Sequence, residues 1–399
     1  MSGLRVVPDP GRSSARARRL PERARRAGGG RSGSDAAGGG AGARAGSLDV
    51  LRGCAALSVL CFHVWLYRPQ GQPGPRHSLS AKVLFELNLG LICFFVLSGF
   101  LLYRGFVRAM LSGREVNLRR YALRRAARIL PAYYVCLAGS LLLYEAVGAG
   151  SLVPPPHQLV LFAVFAQSYS TGTFTAIDAV TWTLCVEVLF YLLLPVFAAL
   201  ASRVGPRRHA RQVLLLCSLL AVSVVWNGVV SARGWGPVAA KSLPAYLGAF
   251  ACGMLVALEL ERRRRPIGRL AAALLALAGM AIVIFTGFGH EQWGSHTLEH
   301  RLLADLPAAV GFALIVAAVA GRAPAERRRV PPALAGLGVI SYGLYLWHIP
   351  LILVLLQLGL LPTALLARLV VVALGAGVLA TLSWRCVERP ALRWAHRSG

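Results

Sequence analysis

Residues 48–63 read LDVLRGCAALSVLCFH and open the first of many apolar runs in a chain of 399 residues. A helix needs about 20 apolar residues to cross a hydrocarbon core of roughly 30 Å. This run meets that length, yet it contains the ionisable residues Asp49, Arg52 and His63. Because such residues are costly inside a bilayer, the stretch predicts a membrane helix that carries functional groups.

Apolar runs of similar length follow almost to the end of the sequence, which is 56% hydrophobic. The expected fold is therefore an all-α, polytopic membrane bundle of about ten transmembrane helices. The spans are expected at about 48–67, 82–103, 130–148, 181–201, 212–230, 243–260, 269–286, 302–321, 336–357 and 364–384.

The expected domain organisation is a membrane domain over residues 47–390 with a tail at each end. Residues 1–46 are rich in Arg, Gly, Ala and Ser, which predicts a disordered basic tail. Residues 391–399 are expected to form a short cytoplasmic tail. Residues 158–170 are apolar but too short to cross, so they predict a re-entrant or interfacial helix.

The formal net charge of +27 is spread over short loops. Alternating the connections puts the basic segments 104–128, 203–211, 262–269, 322–329 and 385–397 on one side, which the positive-inside rule makes the cytoplasm. Both termini are then expected to be cytoplasmic. Since topology accounts for the charge, the partner implied is the lipid bilayer and no nucleic acid is expected.

Arg52 and His63 are 11 positions apart, about 20° past three full turns, so they share one helix face. Asp49 precedes Arg52 by three positions and can pair with it. A neutral imidazole suits a general base. The alternative is a hydrogen-bonded packing histidine.

The segment NLRRYALRRAARILPAYY, residues 117–134, places Arg124, Arg125 and Arg128 on one helix face. Guanidinium groups match phosphate oxygens, so this face is a candidate site for a nucleotide-containing donor such as coenzyme A. Contact with lipid headgroups, or a topology signal alone, is the alternative.

Two further segments carry polar groups inside apolar runs. In TWTLCVEVLFYLLLP, residues 181–195, Glu187 must face a cavity or a partner and is a candidate to orient His63 or to place an acceptor. A structural hydrogen bond is the alternative. Trp182 at the outer end of this segment is a candidate substrate-binding residue, as are Tyr345 and His348 on one face of ISYGLYLWH, residues 340–348.

Two other sequence patterns could indicate a functional site, but neither is expected to form one. Glu388 and Arg389, in WRCVERP, are expected to form an ion pair at a helix end. The sequence HTLEH, residues 296–300, matches a zinc-peptidase pattern. Because the pattern has only five residues, no metal site is expected, and a membrane metalloprotease stays an alternative.

Taken together, the chain resembles the acyltransferase-3 family of integral membrane O-acyltransferases. The resemblance rests on six segments that occur in the family's order: LDVLRGCAALSVLCFH, FFVLSGFLLYR, RRAARILPAYY, TWTLCVEVLFYLLLP, ISYGLYLWH and VERP. One departure is Val50, where the family's LDGLRG has glycine.

This resemblance implies transfer of an acyl group, expected to be acetyl, from cytoplasmic acyl-CoA to a hydroxyl of a carbohydrate or glycosylated metabolite. His63 matches the family's essential histidine, Arg52 its motif partner, and Arg125 and Arg128 the R-x-x-R associated with the donor. Acyl-CoA is then a substrate, and no permanently bound cofactor is expected. The expected location is the cell membrane of a bacterium, with multiple passes.

A transporter or flippase of a glycan or lipid is the alternative from another class, because it too places polar residues inside a bundle. It predicts inverted internal repeats, and none is apparent in the sequence. Within the enzyme hypothesis, direct transfer to the acceptor is favoured over an acyl-histidine intermediate.

Overall fold

The computed structural model describes residues 46–69, 78–205, 208–263, 265–288, 301–323 and 330–398. Helices and turns make up these ranges, and no strand occurs in them. The zinc-peptidase pattern at 296–300 and residues 1–45 of the basic tail lie outside the described residues.

Ten helices of the described chain are long and apolar enough to cross a membrane, which confirms the predicted architecture. They are α1 (Gly46–Leu66), α2 (Leu79–Ser112), α3 (Leu118–Ala146), α4 (Trp182–Val204), α5 (His209–Ala232), α6 (Pro237–Arg262), α7 (Arg269–Gly287), α8 (Leu302–Ala320), α9 (Ala333–Gln357) and α10 (Leu365–Arg397).

The helix ends differ from the expected spans mainly where the sequence is basic. Helix α3 begins at Leu118, and the side chain of Asn117 caps it by accepting a hydrogen bond of 2.8 Å from the backbone N–H of Arg120. The arginine-rich segment is therefore the first part of a long helix. Helix α10 also continues, through one π-helical turn at Trp384–Glu388 into Arg389–Arg397, where a short tail was expected.

Residues 147–181 do not cross the bundle. They contain a helix of only five residues, Leu159–Ala163, among short 3₁₀ turns. With this segment on one side, the ten helices alternate in direction. The arginine-rich segments lie at the end of the bundle where α1 begins, and we call this end the basic end. We call the other end of the bundle the opposite end.

Close helix pairs hold the site together. Helix α1 packs on α9, and α2 packs on α6. At Gly338 a Cβ atom would overlap the backbone carbonyl of Asp49, and at Gly99 it would overlap the carbonyl of Phe250. Small residues allow backbones to approach this closely, and the α1–α9 contact brings the polar residues of these two helices together.

Candidate functional site

Two histidines from α1 and α9 meet near the opposite end of the bundle. His63 Nδ1 lies 3.2 Å from His348 Nε2, and the ring centroids are 5.1 Å apart. His348 is fully buried, whereas His63 is partly exposed. The pair places two residues from distant parts of the sequence in direct contact.

The neighbouring carbonyls determine where the protons of this pair lie when both rings are neutral. His63 Nδ1 is 2.9 Å from the carbonyl oxygen of Val59, and His348 Nδ1 is 3.2 Å from that of Leu344. A carbonyl oxygen only accepts, so each Nδ1 carries the hydrogen. His348 Nε2 then accepts from His63, and the Nε2 lone pair of His63 is available to take a proton.

Tyr345 connects the histidines to a large cavity. Its ring lies 5.9 Å from that of His348, and its hydroxyl is 2.9 Å from Thr183 Oγ1. The hydroxyl also donates to the carbonyl of Val180 at 3.3 Å. Tyr345 is thus fixed from the α4 side while its side chain lines the cavity.

This cavity lies between α1, α2, α3, α4 and α9 and has about 650 Å³ of empty space, which includes space open to solvent. Its walls are largely apolar, which is typical of a small-molecule site with a few orienting polar groups. The polar side chains that line it are Arg52, Ser98, Arg128, Thr183, Glu187, Tyr191, Ser341, Tyr342 and Tyr345. The sequence-predicted residues Arg52, Arg128, Glu187 and Tyr345 therefore share one space.

Glu187 is held on the α2 side of this cavity. Ser98 Oγ donates to Glu187 Oε1 at 2.5 Å, and the charge of Arg52 lies within electrostatic range of the carboxylate. Within the described part of the chain no contact joins Glu187 to His63. Arg52 also interacts electrostatically with Asp49, although the two form no ion pair in the structure.

Arg128 closes the cavity on the α3 side through a contact that sequence reasoning missed. Its Nη1 lies 3.3 Å from Glu388 Oε2, and its guanidinium carbon is 5.7 Å from the centre of the Tyr342 ring. The Glu388 side chain is only 1% exposed. The expected pair of Glu388 with Arg389 is therefore wrong, because the carboxylate points into the bundle towards α3.

The three arginines of α3 that were predicted to bind the donor do not form one uniform face. Arg124 is exposed, whereas Arg125 and Arg128 are partly buried. The Nε of Arg125 is buried and has no hydrogen-bond partner among the described residues. Arg125 is also within electrostatic range of Glu187. The two partly buried arginines, Arg125 and Arg128, are the pair that matches the R-x-x-R pattern.

Trp182 lies away from the walls of this cavity. It is buried at the opposite end, where its ring stacks on Phe174 with 6.3 Å between centroids and 18° between planes. Lys241 approaches the same two rings. Phe174, Lys241 and Ser98 are site neighbours that sequence reasoning did not single out. Glu388 was singled out, but as an ion-pair partner of Arg389 and not of Arg128.

Comparisons with known proteins identify the family of this chain. A family model described as an acyltransferase domain matches residues 46–384. Nodulation protein 10 of Rhizobium leguminosarum bv. viciae is 26% identical over 368 residues, covering 87% of this chain and 93% of that protein. The exopolysaccharide production protein ExoZ of Rhizobium meliloti is 28% identical over 312 residues, 76% of this chain and 89% of that protein.

The chain is also similar to larger bacterial enzymes. It is 22% identical over 362 residues to the peptidoglycan O-acetyltransferase OatA of Listeria monocytogenes. That match covers 86% of this chain but 55% of the relative, so the chain spans about half of its length. No solved structure gives a significant match.

The family model covers most of the chain, including the α1 segment with Arg52 and His63, the α3 arginines and the α9 histidine. The chain therefore belongs to the acyltransferase-3 family and is a multi-pass membrane acyltransferase.

Proposed function

We propose that the protein transfers an acetyl group from acetyl-CoA, at the basic end, to a hydroxyl of a carbohydrate or glycosylated metabolite that reaches His63 from the opposite end. The observation that carries this proposal is the polar route through the bundle. Arg52, Arg128 and Glu187 line a cavity whose wall includes Tyr345, and Tyr345 contacts the histidine pair.

In this proposal His63 is the general base. The hydrogen on its Nδ1 is held by Val59 and His348, which leaves Nε2 to remove the proton of the attacking hydroxyl. The hydroxyl oxygen forms the new ester bond with the carbonyl carbon, the thioester C–S bond breaks, and the thiolate of CoA takes up the proton. His348 is a positioning residue, since it is fully buried behind His63.

The donor is proposed to enter where Arg125 and Arg128 face inward. Guanidinium groups bind phosphates through charge-assisted hydrogen bonds, and the Nε of Arg125 has no hydrogen-bond partner among the described residues. The acetyl thioester then extends into the cavity lined by Arg128 and Glu187. Acceptors of the peptidoglycan or exopolysaccharide kind are suggested by the names of the relatives.

The test compares membranes that contain the wild type, His63→Gln and His157→Gln, given radiolabelled acetyl-CoA and extracted envelope glycans and lipids. His157 is exposed and belongs to the opposite end, so it controls for loss of a histidine as such. We expect transfer to fall by at least about a hundredfold in His63→Gln, the scale of general-base catalysis, and to persist in His157→Gln.

Equal transfer by His63→Gln and the wild type would remove this histidine from the mechanism. Labelled acetyl trapped on the wild type without acceptor, and absent from His63→Gln, would replace direct transfer by an acyl-histidine intermediate.

A further inference from the structure

One row of side chains on α10 is exposed from the start of the helix to the point where its apolar run ends. Helices α7 and α10 have the smallest buried share of the ten spanning helices in the described chain. A spacing of four residues places successive side chains on one helix face. The apolar members of the exposed row have this spacing: Leu366, Val370, Leu374, Val378 and Leu382. On a spanning helix, an exposed apolar row faces the hydrocarbon of the membrane.

Arginines continue this row at the basic end. Arg385 follows Leu382 by three positions, and Arg389, Arg393 and Arg397 follow at intervals of four. All four arginines are exposed. The helix is continuous through the change, first as a π-helical turn and then again as α-helix. The same outer surface of α10 therefore changes from apolar to cationic.

The position of the change agrees with the thickness of a bilayer. At 1.5 Å per residue, the apolar row from Leu366 to Leu382 covers about 24 Å, close to the roughly 30 Å of a hydrocarbon core. Arg385 and Arg389 follow within about 10 Å of helix. The polar headgroups form a layer about 5–8 Å thick on each side of the core. Of the four arginines, these two are therefore at the depth of the lipid phosphates.

The charges of Arg385 and Arg389 are not balanced within the described chain. No described carboxylate lies within ion-pair distance of either guanidinium. Glu388 lies between them in sequence, but its side chain is buried and contacts Arg128. Like charges four residues apart on a helix repel each other. A phosphate would relieve this repulsion, and guanidinium groups match its oxygens.

We propose that Arg385 and Arg389 form a binding site for the phosphate of an anionic phospholipid, whose acyl chains lie along the exposed apolar row of α10. A lipid is the expected occupant, because the arginines directly continue a surface that faces hydrocarbon. Attraction to an anionic membrane surface amounts to about fivefold in affinity for each arginine near it. The site does not depend on the acetyl transfer proposed above.

Cys386 allows the lipid next to this site to be identified, since it is exposed and lies between the two arginines. The full chain, with Cys386 as its single cysteine, is labelled with bimane and placed in nanodiscs of phosphatidylglycerol and phosphatidylcholine in equal amounts. One of the two lipids carries brominated acyl chains, which quench the label on contact. The ratio of quenching by the two brominated lipids should show a preference for phosphatidylglycerol of about fivefold or more.

Three double variants assign the preference to its residues. Arg385→Gln with Arg389→Gln should reduce it to less than about twofold, because the attraction of both charges is lost. Arg385→Lys with Arg389→Lys keeps both charges and should retain most of it. Arg263→Gln with Arg265→Gln removes two exposed arginines at the same end and should leave it unchanged.

Equal quenching by the two lipids in the wild type, or an undiminished preference in the double glutamine variant at positions 385 and 389, would overturn the proposal. An equal loss in the Arg263 and Arg265 variant would indicate attraction to the whole basic surface and would also overturn it. A preference that is lost in inorganic phosphate, but not in sodium chloride of the same ionic strength, would assign the site to a soluble phosphate instead of a lipid.

Discussion

The neighbouring residues Arg124 and Arg125 have different surroundings on α3. Arg124 is exposed, whereas the Nε of Arg125 is buried without a hydrogen-bond partner among the described residues. A buried donor that lacks a partner is costly. Binding a donor phosphate would give this Nε its missing hydrogen-bond partner. Arg124 lies next to Arg125 but is exposed, so its substitution is a control for the substitution of Arg125.

We therefore expect Arg125→Gln to raise the KM for acetyl-CoA about tenfold or more, the value of a hydrogen bond between charged groups. Arg124→Gln should change it less than about twofold, because an exposed charge is screened by solvent. Steady-state kinetics with varied acetyl-CoA measure both. Equal effects of the two substitutions would indicate general attraction to the basic surface instead of a defined phosphate contact.

Asp178 provides a pH-dependent test of the 147–181 connection. It is 4% exposed; its Oδ1 accepts from the backbone N–H of Val180, and its Oδ2 is buried without a hydrogen-bond partner in the described structure. Burial raises the pKa of Asp178 well above the usual 3.8. The folded protein therefore keeps a proton on this carboxyl that the unfolded chain releases above pH 3.8.

It follows that the contribution of Asp178 to stability falls as the pH rises from about 3.8 and is lowest above its raised pKa. Asp178→Asn keeps an acceptor for Val180 and cannot titrate. Thermal unfolding in nanodiscs should show the variant gaining stability relative to the wild type as pH rises from about 4 to about 8. Glu115→Gln, an exposed acid, should show no such trend; a flat difference for Asp178→Asn would contradict the assigned environment.

At the scale of single residues, the sequence identifies groups whose presence in an apolar run is unusual. Arg52, His63 and Glu187 stand out in this way, and the structure places Arg52 and Glu187 on the wall of the cavity and His63 in contact with His348 near the opposite end. Their partners do not stand out. The contact of Arg128 with Glu388 joins positions 260 residues apart, and only the packing of α3 against the end of α10 creates it.

At the scale of helices, the distance between the two histidines depends on how closely α1 and α9 approach. Gly338 meets the backbone carbonyl of Asp49, where a Cβ atom would overlap. Gly336 lies on the same helix with open space around the position of its Cβ. One added methyl group thus tests the contact, and the same change two residues earlier is its control.

We expect Gly338→Ala to force α1 and α9 apart, to lengthen the contact between His63 and His348, and to lower both acetyl transfer and the melting temperature. Overpacking of this kind typically costs about 1–3 kcal/mol. Gly336→Ala should keep both properties close to the wild type. Full activity and stability in Gly338→Ala would show that the close α1–α9 approach is unnecessary for the site.

Helix number and approximate position could be predicted because they depend on local hydropathy alone. All ten spans occur where apolar runs predict them. Helix α3 extends beyond the apolar run because its arginine-rich start is a good helix former with an Asn cap. The order in which helices pack depends on contacts such as Gly99 against Phe250, and hydropathy contains no information about them.

At the scale of the whole molecule, the proposed chemistry requires the basic end to face the cytoplasm, where acyl-CoA is available. The positive-inside rule predicts this orientation. Ser112 at the basic end and Arg233 at the opposite end are both exposed and lie at the ends of α2 and α5. Single cysteines at these two positions, in a background without the eight native cysteines, report which end faces which side.

In intact bacterial cells a membrane-impermeant maleimide should label Arg233→Cys and should label Ser112→Cys only after lysis. The physical reason is that moving the basic segments across the membrane is strongly disfavoured, so α2 and α5 end on opposite sides. Retained acetyl transfer by both variants confirms that each is folded. The reverse labelling pattern would place Arg125 and Arg128 outside the cell, away from any cytoplasmic donor, and would contradict the proposed direction of transfer through the cavity.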